Sequence, residues 1–127
     1  MIDEKIKGII IKYVEAYNSF DIEGMIKLLH RDILFRNISK SEIDTETKGI
    51  QEFRDLAELS SKIFTSRKQT ITDFVEMGDL IEVRIEYEGT LADDLPNGLK
   101  KGDKIQLKGK SQFRFKEGKI SQIEDYS

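Results

Sequence analysis

No cysteine occurs among the 127 residues, which excludes disulfides, thiolate metal sites and cysteine nucleophiles. There is one histidine, His30, so a zinc centre has too few soft ligands to draw on and no metal is expected. There is one proline, Pro96, beside Asn97-Gly98, and the stretch from Asp93 to Gly102 reads as a loop. No apolar run approaches the about 20 residues of a membrane span. Asp3, Glu4, Lys5 and Lys7 interrupt any signal-peptide pattern at the start. The expectation is a cytoplasmic protein with no membrane contact. The net charge of -3 offers no basic face to nucleic acid, and no such partner is expected.

Familiar chemical motifs are missing too. There is no glycine-rich phosphate loop, no HExxH and no GxSxG. Asp44-Thr45-Glu46-Thr47-Lys48-Gly49 opens like a calcium loop, but Lys48 stands at a ligand position and Asp55 replaces the closing glutamate. Asn37-Ile38-Ser39 is a glycosylation sequon, with no meaning unless the chain is secreted.

What is present is an ordinary globular mixture, 38% hydrophobic and 35% charged, of a length that suits one domain over residues 1–127. Helical signals come first and strand signals follow, which predicts an α+β fold. Ile2, Ile6, Ile9, Ile10, Tyr13, Val14 and Tyr17 recur at helical spacing behind a candidate cap, Asp3. Asp21 can cap a second short helix with Ile22, Met25, Ile26 and Leu29 on its apolar face; His30 follows, where an imidazolium suits a helix end. Ile33 to Ile38 reads as a strand, Ser39 to Gly49 as a polar loop, and Ile50 to Phe64 as a third helix with Phe53, Leu56, Leu59 and Ile63 recurring. Gln69 to Met77, Leu80 to Leu91 and Lys104 onward read as strands, with a turn at Gly78-Asp79.

The long strands carry the clearest alternation. Ile81, Val83, Ile85 and Tyr87 share one face, with Glu82, Arg84, Glu86 and Glu88 opposite. Ile105, Leu107, Gly109, Ser111, Phe113 and Phe115 share a face, with Lys104, Gln106, Lys108, Lys110, Gln112, Arg114 and Lys116 opposite. An acidic face beside a basic one predicts antiparallel neighbours. The last strand has two possible registers. A two-residue turn at Glu117-Gly118 turns Ile120, Gln122, Glu124 and Tyr126 inward. A three-residue loop with Gly118 left-handed turns Ser121, Ile123 and Asp125 inward, and glycine's tolerance of positive φ favours it. Asp125 is then either a buried acid or a solvated carboxylate near Lys110.

The order of these elements resembles the cone-shaped NTF2-like (cystatin-like) fold, with three N-terminal helices against a curved, mostly antiparallel sheet. Local wording agrees: Lys12 to Asp21 is similar to the end of that superfamily's first helix, Leu29 to Phe35 to its turn into strand one, and Gly49 to Phe53 to the start of its third helix. Glu76 to Asp79 and Phe113 to Ile120 resemble its hairpin turns. The nearest branches are the SnoaL-like and ketosteroid-isomerase-like proteins. The resemblance implies a pocket between the sheet and the first helix, and a homodimer through the outer sheet face. That face is unusually charged here, with Glu82, Glu86, Glu88, Lys108, Lys110 and Arg114.

The isomerase branch enolises a carbonyl with an aspartate base, a tyrosine and a protonated acid; ketosteroid isomerase is a standard worked case of this chemistry. Tyr13 matches the tyrosine position. Asn37 falls at the base position and cannot take a proton at neutral pH; Ser111 falls at the acid position and is a weaker donor. Both can still bind a ligand or be satisfied by backbone. The expected pocket is Tyr13, Tyr17, Phe35, Asn37, Phe53, Tyr87, Ser111, Phe113 and Asp125, holding a small hydrophobic oxygen-bearing molecule without a cofactor. Two alternatives accompany this expectation. One is an isomerase, cyclase or lyase with Asp125 as base and Tyr13 as donor. The other is a dimerisation or partner-binding module whose pocket its own side chains fill.

Overall fold

Asp3 starts the first helix, α1 (Glu4–Asn18): its carboxylate accepts the Lys5 amide at 2.8 Å, satisfying one donor the helix leaves orphaned. The structure, a computed structural model, describes residues 3–127, so Ile2 of the expected apolar face lies outside the described residues. Ile10, Tyr13 and Val14 are the buried positions of α1. Asp21 caps the short α2 (Ile22–Ile26) through the Gly24 amide at 2.9 Å.

Strand β1 (Leu29–Ser39) begins earlier than its sequence suggests, and two side chains expected on the second helix open it. Leu29 is buried at its start. His30 is buried as well, not poised at a helix end. Its Nδ1 accepts the Asp32 amide at 3.1 Å and its Nε2 lies 3.0 Å from a Glu117 carboxylate oxygen.

The segment expected as a polar loop contains a strand, β2 (Glu42–Lys48), paired antiparallel to β1. Lys40 and Ser41 form its turn, both at positive φ. Neither residue adopts positive φ as readily as glycine or asparagine, so the local sequence carries no glycine-type turn signal. Helix α3 (Ile50–Ser61) follows, beginning at Gly49 and burying Phe53 and Ala57. It stops before Ile63 and Phe64, and β3 (Phe64–Met77) takes up Phe64. A strand between the second and third helices was expected; the structure has a β1–β2 hairpin there, and one of the three helices, α2, is only five residues long.

Strands β4 (Leu80–Leu91), β5 (Lys104–Lys116) and β6 (Lys119–Tyr126) complete a sheet of order β2-β1-β6-β5-β4-β3, antiparallel except between β1 and β6. On the inner faces of β4 and β5, Ile81, Val83, Ile85 and Phe113 are buried as expected, whereas Leu107, expected inward, is 52% exposed. The charge register is less regular than expected. Glu86 faces Lys108, but Arg84 faces Lys110 and Glu82 faces Gln112. Glu82, expected on an open charged face, is 4% exposed under Gln112 and Lys110, with oxygens 3.1 and 3.4 Å from their nitrogens.

The β5–β6 turn is the tight one. Lys116 pairs with Lys119, leaving Glu117 (φ 54) and Gly118 (φ 78) as its two central residues. Glu117 accepts a left-handed conformation that costs a non-glycine residue about 1–2 kcal/mol, and His30 holds its carboxylate. Two residues later the strand bulges. Phe115 pairs with Ile120 and Arg114 with Gln122, so Ser121 has no partner. Ser121, expected inward, is the inserted residue. The bulge lets Ile120 and Ile123 both point into the core at 0% exposure and sends Asp125 inward after them.

Candidate functional site

Between α1, α3 and the concave face of the sheet lies a cavity of about 250 Å³. Tyr13 and Tyr17 enter it from α1, Phe53 from α3, Phe35 and Asn37 from β1, Ser111 from β5 and Asp125 from β6. These are seven of the nine residues expected. Tyr87 lines instead an adjoining hollow of about 300 Å³, shared with Tyr17, Asn37, Ser111 and Asp125 and bordered by Phe64, Ile105 and Leu107. The Tyr17 hydroxyl donates to that of Tyr87 at 3.2 Å, linking the two spaces. Phe113 does not line the cavity. It is 1% exposed behind Tyr13, the two rings edge to face at 5.9 Å. More open hollows on the other face of the sheet are bordered largely by charged side chains such as Glu86 and Lys108.

Ser111 and Asp125 are direct cross-strand partners, and the serine hydroxyl donates to the carboxylate at 2.6 Å. The serine is therefore satisfied by a side chain rather than by backbone, and Lys110 pairs with Glu82 instead of Asp125. Burial raises the Asp125 carboxyl from 3.8 to about 6, against the opposing pull of the Ser111 hydrogen bond. Burial also holds the Tyr13 phenol well above its ordinary value of 10.0; the Asp125 charge adds to that rise and Arg67 opposes it. Tyr13 is thus a neutral donor in the same cavity as a carboxyl that titrates near neutrality. Asn37 pairs across the parallel strands with Asp125, and its amide nitrogen reaches Asp44 only at 3.5 Å.

Arg67 and Gln69 also line the cavity and were not expected there: β3 begins five residues before its expected start, which hid Arg67, and Gln69 stood at the expected strand's first position. Arg67 is 5% exposed, its Nε donating to the Tyr17 carbonyl at 2.9 Å. This supplies a positive donor to the end of α1, whose last turn has no basic residue. The guanidinium lies over the rings of Tyr17 and Phe20, at 3.7 and 4.4 Å. Asn18 clamps the same edge strand, exchanging two hydrogen bonds with the Gln69 backbone at 2.7 and 3.1 Å. The period-two run Arg67, Gln69, Ile71 was the available signal, and arginine's usual exposure hid it.

Gly109 fixes how closely the end of β6 approaches β5. A Cβ there would lie 2.6 Å from the Tyr126 carbonyl oxygen. Gly109→Ala is expected to displace the residue beside Asp125 and cost about 1–3 kcal/mol through overpacking, read as a lower urea midpoint. An unchanged midpoint would show that this strand end yields freely.

These features define an NTF2-like α+β protein with a cavity closed by the first helix. The SnoaL-like domain matches residues 10–123, and the chain belongs to that family. No curated protein matches the sequence at a significant level. Solved structures share the fold. IdmH, a candidate polyketide cyclase from Streptomyces antibioticus, is 19% identical with a TM-score of 0.77 over 94% of this chain and 88% of its own. A candidate polyketide cyclase from Pseudomonas putida KT2440 is 22% identical with a TM-score of 0.72 over 94% and 88%. An NTF2-like protein of unknown function from Burkholderia pseudomallei K96243 is 18% identical with a TM-score of 0.76 over 98% and 90%.

Proposed function

We propose that this chain binds a compact, hydrophobic, oxygen-bearing molecule in the cavity between the sheet and the helices. The observation that carries the reading is the cavity itself: its own side chains leave about 250 Å³ unfilled, between aromatic walls and a few convergent polar groups. Ligand sites commonly span about 300–1,000 Å³, so the ligand belongs at the small end of that range. The unfilled space weighs against a module whose pocket is closed by its own residues. Calorimetric titration with bicyclic aryl ketones tests the reading. Saturable binding that Ser111→Leu weakens supports it; binding unaffected by filling the cavity sinks it.

A second reading is favoured by one observation, the Asp125 carboxyl near 6 beside the Tyr13 phenol. In this reading the chain enolises a carbonyl compound, as an isomerase or cyclase must. Ionised Asp125 removes a proton from the carbon next to the carbonyl, the C–H electron pair becomes the enolate, and Tyr13 donates a hydrogen bond to the developing oxyanion. The proton returns from Asp125 to a carbon of the product. The likeness to candidate polyketide cyclases supports this chemical class. Proton NMR of 2-tetralone in deuterated buffer measures the step. Wild type should accelerate exchange of the acidic C–H, and Asp125→Asn should lose about 10²–10⁴-fold of that acceleration. Full exchange in Asp125→Asn removes the catalytic reading and leaves the binding one standing.

A further inference from the structure

Arg67 is a buried cation without a counter-charge. Its Nε is used by the Tyr17 carbonyl, but Nη2 is closed to water and has no hydrogen-bond partner. No ion pair to it occurs among the described residues, although the side chain is 5% exposed and lines the cavity. Buried charges are ordinarily paired and hydrogen-bonded, because the interior does not replace the water they give up. The aromatic faces of Tyr17 and Phe20 offset part of that cost. The Tyr17 hydroxyl adds a neutral acceptor near the guanidinium, but neither ring supplies a counter-charge.

The acid of the cavity does not fill the gap. Asp125 stands on β6 and Arg67 on β3, with β5 and β4 between them in the sheet. Three strand spacings separate their backbones by about 14 Å along the sheet. Ser111 is the one side-chain hydrogen-bond partner of Asp125 among the described residues. The two charges therefore reach the cavity from separate strands and do not pair with each other. Around Arg67 the cavity is lined by Tyr17 and Gln69, and the Gln69 backbone is already committed to Asn18.

We infer that the ligand of this cavity carries an anionic oxygen, a carboxylate or an ionised enol or phenol, that pairs with the Arg67 guanidinium. Its hydrophobic body then lies along Tyr13, Phe35 and Phe53, with a second oxygen function toward Ser111 and Asp125. The inference rests on the binding reading above and narrows it, since a wholly neutral ligand leaves the buried charge unanswered. Arginine suits the task because its guanidinium stays charged at every working pH and carries N–H donors beyond the one that Tyr17 uses.

The test compares two probes with one frame, 2-naphthoate and 2-acetylnaphthalene, by calorimetric titration at pH 8. Wild type should bind the carboxylate about tenfold or more tightly than the ketone, the scale of a charged hydrogen bond in a closed site. Arg67→Met should lose that preference and keep its affinity for the ketone. Arg67→Lys, which retains the charge, should keep part of the preference and guards against a methionine variant that does not fold. Equal or tighter binding of the ketone by wild type overturns the anionic assignment and leaves the cavity's binding role intact. A preference that survives in Arg67→Met also overturns it. Failure of both probes to bind wild type overturns the binding reading and this inference with it.

Discussion

Phe113→Ala is expected to remove about 3–5 kcal/mol of folding free energy, the cost of deleting a fully buried phenyl ring and leaving a void. Phe113 pairs across the sheet with Ile81 on one side and Ile123 on the other, and its ring meets the edge of Tyr13. All four side chains are buried, so little around the void can relax inward. The edge-to-face contact adds about 0.5–1.5 kcal/mol beyond the buried area. A domain of this size has roughly 5–15 kcal/mol in total, so the variant should sit close to its unfolding threshold at 25 °C. Phe113→Leu keeps most of the volume and should lose no more than about 1.5 kcal/mol. Urea denaturation of the three proteins gives the comparison. A loss below about 1 kcal/mol in the alanine variant would mean that Phe113 borders open space, as the sequence alone suggests. The substitution also removes the ring against which Tyr13 packs.

The alternation that makes β4 and β5 legible also explains which positions are not. Ile81 to Tyr87 and Ile105 to Phe115 are long and alternate strictly in sequence, so their inner face is readable even though Glu82 is buried on the other face and Leu107 is exposed on this one. Strand β2 has only Thr47 buried and lies at the sheet edge, so its alternation carries almost no apolar signal. Arg67 is obscured for the opposite reason. It is an inward position held by a residue type that reads as surface, and its guanidinium is covered by the rings of Tyr17 and Phe20, which lie far from it in sequence. Asp125 combines both situations. Its inward direction was expected from a loose turn at Gly118, but the chain makes the tight turn and corrects the register with a bulge at Ser121. The destination was legible because Ile123 and Asp125 share a face. The route was not, because a bulge costs one residue that local sequence does not mark.

That route changes what Ser111 means. In the isomerase-like pattern its position would hold an acid; here the acid arrives from the neighbouring strand and Ser111 donates to it. Asp125 thus supplies the carboxyl of the cavity that Tyr13 also lines.

Asp125→Asn is expected to stabilise the fold by about 2–3 kcal/mol at pH 8 and to change it little at pH 4. The folded carboxyl titrates near 6 because burial penalises its charge, against an ordinary value of 3.8. Between those two values the folded chain holds a proton that the unfolded chain has released. Stability from this group is therefore full below about pH 4 and falls as pH rises toward 6. Raising a pKa by one pH unit corresponds to about 1.36 kcal/mol, which sets the expected size above pH 6. Asparagine imitates the protonated acid in shape and can still accept the Ser111 hydroxyl. Because the other ionisable groups are the same in both proteins, the difference between their urea-derived stabilities at each pH isolates Asp125. A difference that does not vary between pH 4 and pH 8 would show that the carboxylate is solvated after all. The expected slope carries a functional consequence. At neutral pH the wild-type chain keeps an ionised carboxylate in a cavity where an amide would be more stable, a pattern expected where stability is given up for chemistry or recognition. A ligand that hydrogen-bonds Asp125 should recover part of that loss, so its effect on the melting temperature should be larger at pH 8 than at pH 5.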